Sequence, residues 1–278
     1  PKTIIIEQGM TAESTGRLLE REGVIRKTAD FLLYLKLTGN DRAIKPGLYV
    51  FREPLSVPRL VRMIAGDVGE LEVTLVEGWT NEEMARALQR AGIFSREEFV
   101  RAATGKEGYL FPDTYRLFLN ATPESLVDRL EKRFQEKTAA LMPEIIQSKK
   151  SISDIVIMAS LIEKESFGDV DRKIISGILW KRLEKGIPLQ VDATLSYLTG
   201  KESKDLTQDD LKIDSLYNTY RYKGLPKGPI GNPGLKALDA AVHPVATPYL
   251  FYLHDTDGVA HFARTFEEHK RNKEKYLK

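Results

Sequence analysis

The sequence predicts an α+β protein in two parts: a duplicated strand-helix-helix region over residues 1–105 and a mixed α+β domain over residues 106–278. Three observations carry this prediction. The first part repeats itself at an offset of 69, which lays Gly9-Met10-Thr11 on Gly78-Trp79-Thr80 and runs on through Glu13/Glu82, Arg17/Arg86, Leu19/Leu88, Arg21/Arg90 and Gly23/Gly92. In the second part, helical periods and short strand-like runs follow one another without the regular alternation of a parallel sheet. Within it, residues 155–162 form an apolar run broken only by Ser160, the mark of a helix buried on most sides.

Each repeat opens on a β-branched run (residues 3–6 and 73–76), turns at a glycine and starts a helix at a threonine suited to N-capping. Glu83, three residues after Thr80, completes a capping box; Ser14 stands at that place in the first repeat. Gly23 and Gly92 supply left-handed helix stops, and second helices follow at residues 27–37 and 96–103. The pattern resembles the LysM type of glycan-binding module, although a duplicated scaffold that binds nothing would share it. Between the repeats lie an extended stretch, Gly47–Phe51, and a helix over residues 57–65 set between Ser56 and Gly66. The second part predicts helices at residues 123–141, 152–165 and 172–185, then a Gly- and Pro-rich loop over 224–234. It closes with strands at 249–253 and 259–264 around the turn Asp255-Thr256-Asp257-Gly258, and a basic helix from Phe266.

Composition narrows the chemistry. The formal net charge is +2 although 29% of the residues are charged, which argues against a nucleic-acid partner and leaves a neutral polymer such as a polysaccharide open. The absence of cysteine excludes disulfides, thiolate metal sites and a cysteine nucleophile. Four histidines (His243, His254, His261, His269) form no metal-ligand pair on a helix, so no metal is expected; His254 and His261 read as surface residues flanking a hairpin turn. Gly200-Lys201 lacks the companions of a phosphate-binding loop, and no cofactor is expected. The basic tail Lys270, Arg271, Lys273 and Lys275 reads as a solvated face. No apolar run reaches the ~18 residues that span a bilayer. Because the chain opens at Pro1 directly into an apolar run, a preceding segment carrying a signal or anchor is expected.

Glu163 and Glu165 follow the apolar helix directly, and at ~100° per residue both continue an apolar stripe. A carboxyl held against apolar groups keeps its proton to higher pH, as a general acid requires. Periodicity does not choose between the two, and frayed, salt-bridged glutamates would look the same. Three aromatic and polar clusters, at residues 107–115, 189–194 and 216–220, could wall a sugar-binding cleft beside such an acid.

Together these motifs make the resemblance specific. Phe111-Pro112-Asp113-Thr114-Tyr115, Ala159-Ser160-Leu161-Ile162-Glu163-Lys164-Glu165, Leu189-Gln190-x-Asp192-x-Thr194, Tyr217-Asn218-Thr219-Tyr220-x-x-x-Gly224-Leu225-Pro226, Asn232-Pro233-Gly234 and His243-Pro244 stand in the order and spacing of the endolytic murein transglycosylases, the YceG-like or MltG family. The resemblance covers essentially the whole chain. Val191, Ala193 and Lys227 depart from residues often seen in the family and leave the acid untouched. It implies a lytic transglycosylase cutting within nascent peptidoglycan glycan strands, with peptidoglycan synthases as possible partners and a single membrane-spanning helix before the extracytoplasmic part. It places the catalytic acid at Glu165. Sugar contacts are expected from Gln190, Asp192, Thr194, Tyr217, Asn218, Thr219, Tyr220 and Asn232. A hydrolase using Asp192 or Asp113 as a second carboxylate, and a non-catalytic glycan-binding scaffold, are the alternatives.

Overall fold

The computed structural model describes residues 2–51, 55–65, 70–118, 121–166 and 168–277. The elements run β1 (Lys2–Ile6), α1 (Ala12–Arg21), α2 (Thr28–Thr38), β2 (Gly47–Phe51), α3 (Val57–Ile64), β3 (Glu70–Thr74), α4 (Asn81–Arg90), α5 (Arg96–Ala102) and β4 (Thr114–Phe118). They continue α6 (Pro123–Thr138), α7 (Met142–Gln147), α8 (Ile152–Glu165), α9 (Asp169–Glu184), α10 (Asp192–Thr199), α11 (Leu235–Val242), β5 (Phe251–His254), β6 (Ala260–Ala263) and α12 (Phe266–Tyr276). Many helices with three two-stranded antiparallel sheets, β1-β2, β3-β4 and β5-β6, make the class α+β. Among the described residues no helix is long and apolar enough to cross a membrane.

Packing divides the chain into two compact units. One comprises Pro1–Thr74, Leu88–Ala102 and Thr114–Leu126; the other comprises Leu75–Ala87, Ala103–Asp113 and Val127–Lys278. The chain therefore changes unit several times inside the second repeat rather than once after residue 105.

In the first unit β1 alternates as a half-buried strand must: Ile4 and Ile6 face the core, Ile5 faces solvent, and β2 answers with Tyr49 and Phe51. Leu19, Phe31, Leu35, Leu60 and Ile64 complete that core. Thr11 caps α1, its hydroxyl accepting the Ser14 N–H at 3.1 Å. Ser56 makes no side-chain cap on α3, whose Pro58 in the first turn suits the start by itself; Gly66, expected to end that helix, lies outside the described residues. In the second repeat the opening strand is Glu70–Thr74 rather than residues 73–76, because its register is set by β4, with Val73 opposite Tyr115. The repeat so gains a closing strand that the sequence hid in an aromatic cluster. Tyr115 and Phe111 of that cluster are core residues, not walls of a cleft.

The second unit is built around α8. A capping box starts it, Ser151 and Asp154 exchanging hydrogen bonds of 3.0 and 3.2 Å. Every residue from Ile155 to Ile162 is buried against α9, α10 and α11. Full burial of one such aliphatic side chain is worth about 1.5–3 kcal/mol, so this helix is the most firmly held element of the unit. The helix expected at residues 123–141 ends as α-helix at Thr138, and α7, α10 and α11 lie in stretches whose periodicity was too short to announce them. Residues 224–234 are loop, as their Gly and Pro content requires.

Candidate active site

The last turn of α8 carries Glu163, Lys164 and Glu165 out of the core in three directions. Each meets different surroundings. Glu163 is 8% exposed, accepts the N–H of Gly234 at 2.8 Å and lies 3.8 Å from the Arg172 guanidinium. Burial pushes its pKa up and the Gly234 bond pulls the other way. Since Gly234 precedes the first turn of α11, Glu163 ties the end of one helix to the start of another. Gly234 has no Cβ there, and one would stand 1.9 Å from Glu77 Oε1, so a larger residue would have to turn the Glu77 side chain aside.

Glu165 instead lines a cavity of about 420 Å³ with Arg182, Gln190, Asp192, Tyr220 and Tyr252. Burial pushes its pKa up to about 7, with the nearby Asp192 adding to the rise. Opposing this, the Tyr252 hydroxyl donates to Oε2 at 2.8 Å and the backbone N–H of Ala193, in the first turn of α10, donates to the carboxyl. The carboxyl is thus neutral below neutrality, yet provided with donors that would hold the carboxylate. Ser166 ends α8 by bonding back to the Ile162 carbonyl at 2.8 Å, and Arg172 Nε holds Ser166 at 3.1 Å, so the acid sits on a fixed helix end.

The facing wall is equally determined. Tyr220 donates its hydroxyl to Asp192. Arg182 donates to Gln190 Oε1 at 2.7 Å. Gln190 has a left-handed backbone, φ 53°, held by its N–H to the Thr219 carbonyl at 3.1 Å. A non-glycine residue in that region costs about 1–3 kcal/mol and is kept only where packing imposes it. His254 also lines the cavity and bonds Asp171 at 3.2 Å, while His261 bonds Asp255 at 2.7 Å and stacks on Tyr276. Neither is the plain surface histidine that the hairpin suggested, because β5 and β6 fold back onto α9 and α12.

A larger cavity, about 810 Å³, is lined by Thr80, Glu83, Glu107, Lys164, Tyr197 and Ile230 among others. Lys164 and Ala193 line it, while their neighbours Glu165 and Asp192 line the first cavity, so one wall serves both. Burial pushes Glu107 up to about 7 as well, but its carboxylate oxygens accept the Asn81 N–H at 3.0 and 3.3 Å.

Of the residues expected to touch sugar, Gln190, Asp192 and Tyr220 line the Glu165 cavity. Four others are buried and spend their hydrogen bonds inside the protein. Asn218 donates to the Leu211 and Ile213 carbonyls at 3.0 and 2.9 Å and accepts from the Tyr220 N–H. Thr219 and Thr194 bond each other at 3.1 Å, and Thr219 also accepts the Val191 N–H. Asn232 donates to the Trp79 carbonyl and to Asn81, each at 2.9 Å, and accepts from the Leu110 N–H at 3.0 Å. Tyr217 packs on Tyr197, ring centroids 5.1 Å apart, rather than on Glu165. Arg182 and Tyr252 were not singled out in the sequence: one lies on the polar period of a helix and the other in a strand, and only the tertiary fold brings them to the acid.

A helix-borne carboxyl of raised pKa beside a second carboxylate, with donors for its conjugate base, is an arrangement able to give up a proton and take one back. The YceG-like family model matches residues 4–275, and the chain belongs to that family. It is 30% identical over 304 residues to the endolytic murein transglycosylase of Bacillus subtilis, covering 99% of this chain and 84% of that protein. The endolytic murein transglycosylase of Streptococcus pneumoniae R6 is 29% identical over 97% of this chain, which spans 57% of that longer protein. Among solved structures, a YceG-like protein of Listeria monocytogenes superposes with a TM-score of 0.69 at 27% identity, covering 97% of this chain and 99% of that one.

Proposed function

We propose that this chain is a lytic transglycosylase that cuts peptidoglycan glycan strands internally, between N-acetylmuramic acid and N-acetylglucosamine, with Glu165 as the catalytic acid. The observation that carries the reading is the Glu165 carboxyl, raised to about 7 on a rigid helix end and open to a cavity. The relatives, named endolytic murein transglycosylases, support the substrate class.

Glu165 protonates the glycosidic oxygen, and charge develops at the muramic C1. Asp192, held by Tyr220, offers negative charge to that centre. The Glu165 carboxylate, held by Tyr252 and the Ala193 N–H, then takes the proton from the O6 hydroxyl as O6 closes on C1. The products are a 1,6-anhydro-N-acetylmuramic acid end and a free N-acetylglucosamine end, with no water consumed. Water in the cavity would compete for C1, so a closed site favours this outcome. Gln190 and Tyr220 are the sugar-facing polar groups. The two N-terminal repeats, each closed by an antiparallel strand, serve in this reading as LysM-like glycan-holding modules. The substrate places the enzyme outside the cytoplasm, with the wall synthases that make nascent strands as its working partners; membrane anchoring is a further part of the same proposal.

Asp113, one candidate second carboxylate for a hydrolase, is ion-paired to Arg133 at 2.9 Å. Asp192 shares the cavity, so product analysis decides. Digestion of purified peptidoglycan is expected to give anhydro ends by mass spectrometry; reducing ends would establish a hydrolase instead, and intact strands a binding scaffold.

A further inference from the structure

Arg182, on α9, lines the Glu165 cavity and has no part in the reaction above. Its side chain is buried, the residue only 6% exposed. A guanidinium so placed is ordinarily paired with a carboxylate. Among the described residues Arg182 has none within ion-pair distance; its hydrogen bond goes to the neutral Gln190 amide at 2.7 Å, and its Nε is buried without a partner. The guanidinium carbon lies 5.5 Å over the Phe251 ring.

Tyr252 donates to Glu165 and Tyr220 donates to Asp192, and both tyrosines line the same cavity as Arg182. With Glu165 protonated, the Asp192 carboxylate and Arg182 balance each other. Once Glu165 has given up its proton these three groups carry one net negative charge, and without Arg182 they would carry two. The other charged or titratable groups lining this space among the described residues are His254, which is bonded to Asp171, and His269 and Lys273 of α12.

We propose that Arg182 is a positioning residue of the reaction: held over the Phe251 ring, it keeps a positive charge in the wall of the cavity and stabilises the Glu165 carboxylate formed in the first proton transfer. The idea rests on Glu165 being the acid, and the test separates the two. In full-length protein labelled with carboxyl-¹³C glutamate, the Glu165 resonance, identified by its loss in Glu165→Gln, is titrated by NMR beside the pH profile of strand cleavage.

In Arg182→Gln, Glu165 is expected to titrate about one pH unit higher. The same variant should lose about tenfold in kcat with KM changed less than about threefold, since a weaker acid transfers its proton more slowly. Arg182→Lys, which keeps the charge, should titrate with the parent. Gln190→Leu, which removes only the hydrogen-bond partner, should leave the titration in place. Glu165 titrating at the parent value in Arg182→Gln overturns the proposal, as does an equal shift in Gln190→Leu. If Arg182→Gln does not fold, Arg182→Lys decides: a parent titration supports the proposal and a full upward shift overturns it. The NMR titration needs no turnover, so a protein that leaves strands intact refutes the proposed function without touching this coupling.

Discussion

Glu163 and Glu165 leave the same helix two residues apart, both desolvated and both raised in pKa, yet they belong to different regions of the molecule. Around Glu163 the neighbours are Gly234 and Arg172, structural partners that consume the carboxylate. Around Glu165 they are Tyr252, Asp192 and an open cavity. Glu107 extends the comparison, for burial takes it to about 7 too while the start of α4 occupies its oxygens. A raised pKa alone does not make an acid catalyst; the carboxyl must also have a face left over for substrate.

The contrast is sharpest in Glu165→Gln. Loss of the proton donor is expected to cut strand cleavage at least about 10²–10⁴-fold, while Glu163→Gln keeps measurable turnover, both read as release of anhydro ends. Equal loss in both, or a more active Glu165→Gln, would reverse the assignment. Next in size is Asn232→Ala, which strands buried groups of Trp79, Asn81 and Leu110 and should lower unfolding free energy in urea by about 2–4 kcal/mol. Glu163→Ala should follow at about 1–3 kcal/mol, by loss of the Gly234 bond and of the nearby Arg172 charge contact.

Tyr252→Phe should cost about tenfold in kcat and move the alkaline limb upward, because the lost hydrogen bond had favoured the carboxylate. A further effect is on stability against pH. The folded pKa of Glu165 lies above its unfolded value, so its contribution is complete below about 4.3 and fades as pH rises through about 7. Cleavage should fall over the upper part of that range. Glu165→Gln should therefore gain in melting temperature on the parent at pH 8 relative to pH 4, and a constant difference would contradict the burial of this carboxyl.

Local patterns were legible where they were strong. The run 155–162, the threonine caps and glycine stops of the repeats, and the Gly-Pro loop all appear where the sequence put them. The closing strand Thr114–Phe118 was not legible, since an aromatic cluster looks alike in a cleft wall and in a sheet. Nor were α10 and α11, each of eight residues, too short for a period to stand out. Among the site residues the motif at 189–194 was found but its members were not sorted: Gln190 and Asp192 face the cavity, and Thr194 faces the core.

By itself, then, the sequence determined the α+β class, the buried helix and the presence of a carboxyl at its end, because desolvation and helical period act within a short stretch of chain. Its helical period left open which carboxyl faces a cavity, and only the family resemblance pointed to Glu165. That choice was made when α11 presented the Gly234 N–H to Glu163 and β5 brought Tyr252 to Glu165, contacts spanning 71 and 87 residues of sequence. Hydrogen-bond partners so distant are set by how the elements pack, which no local period records.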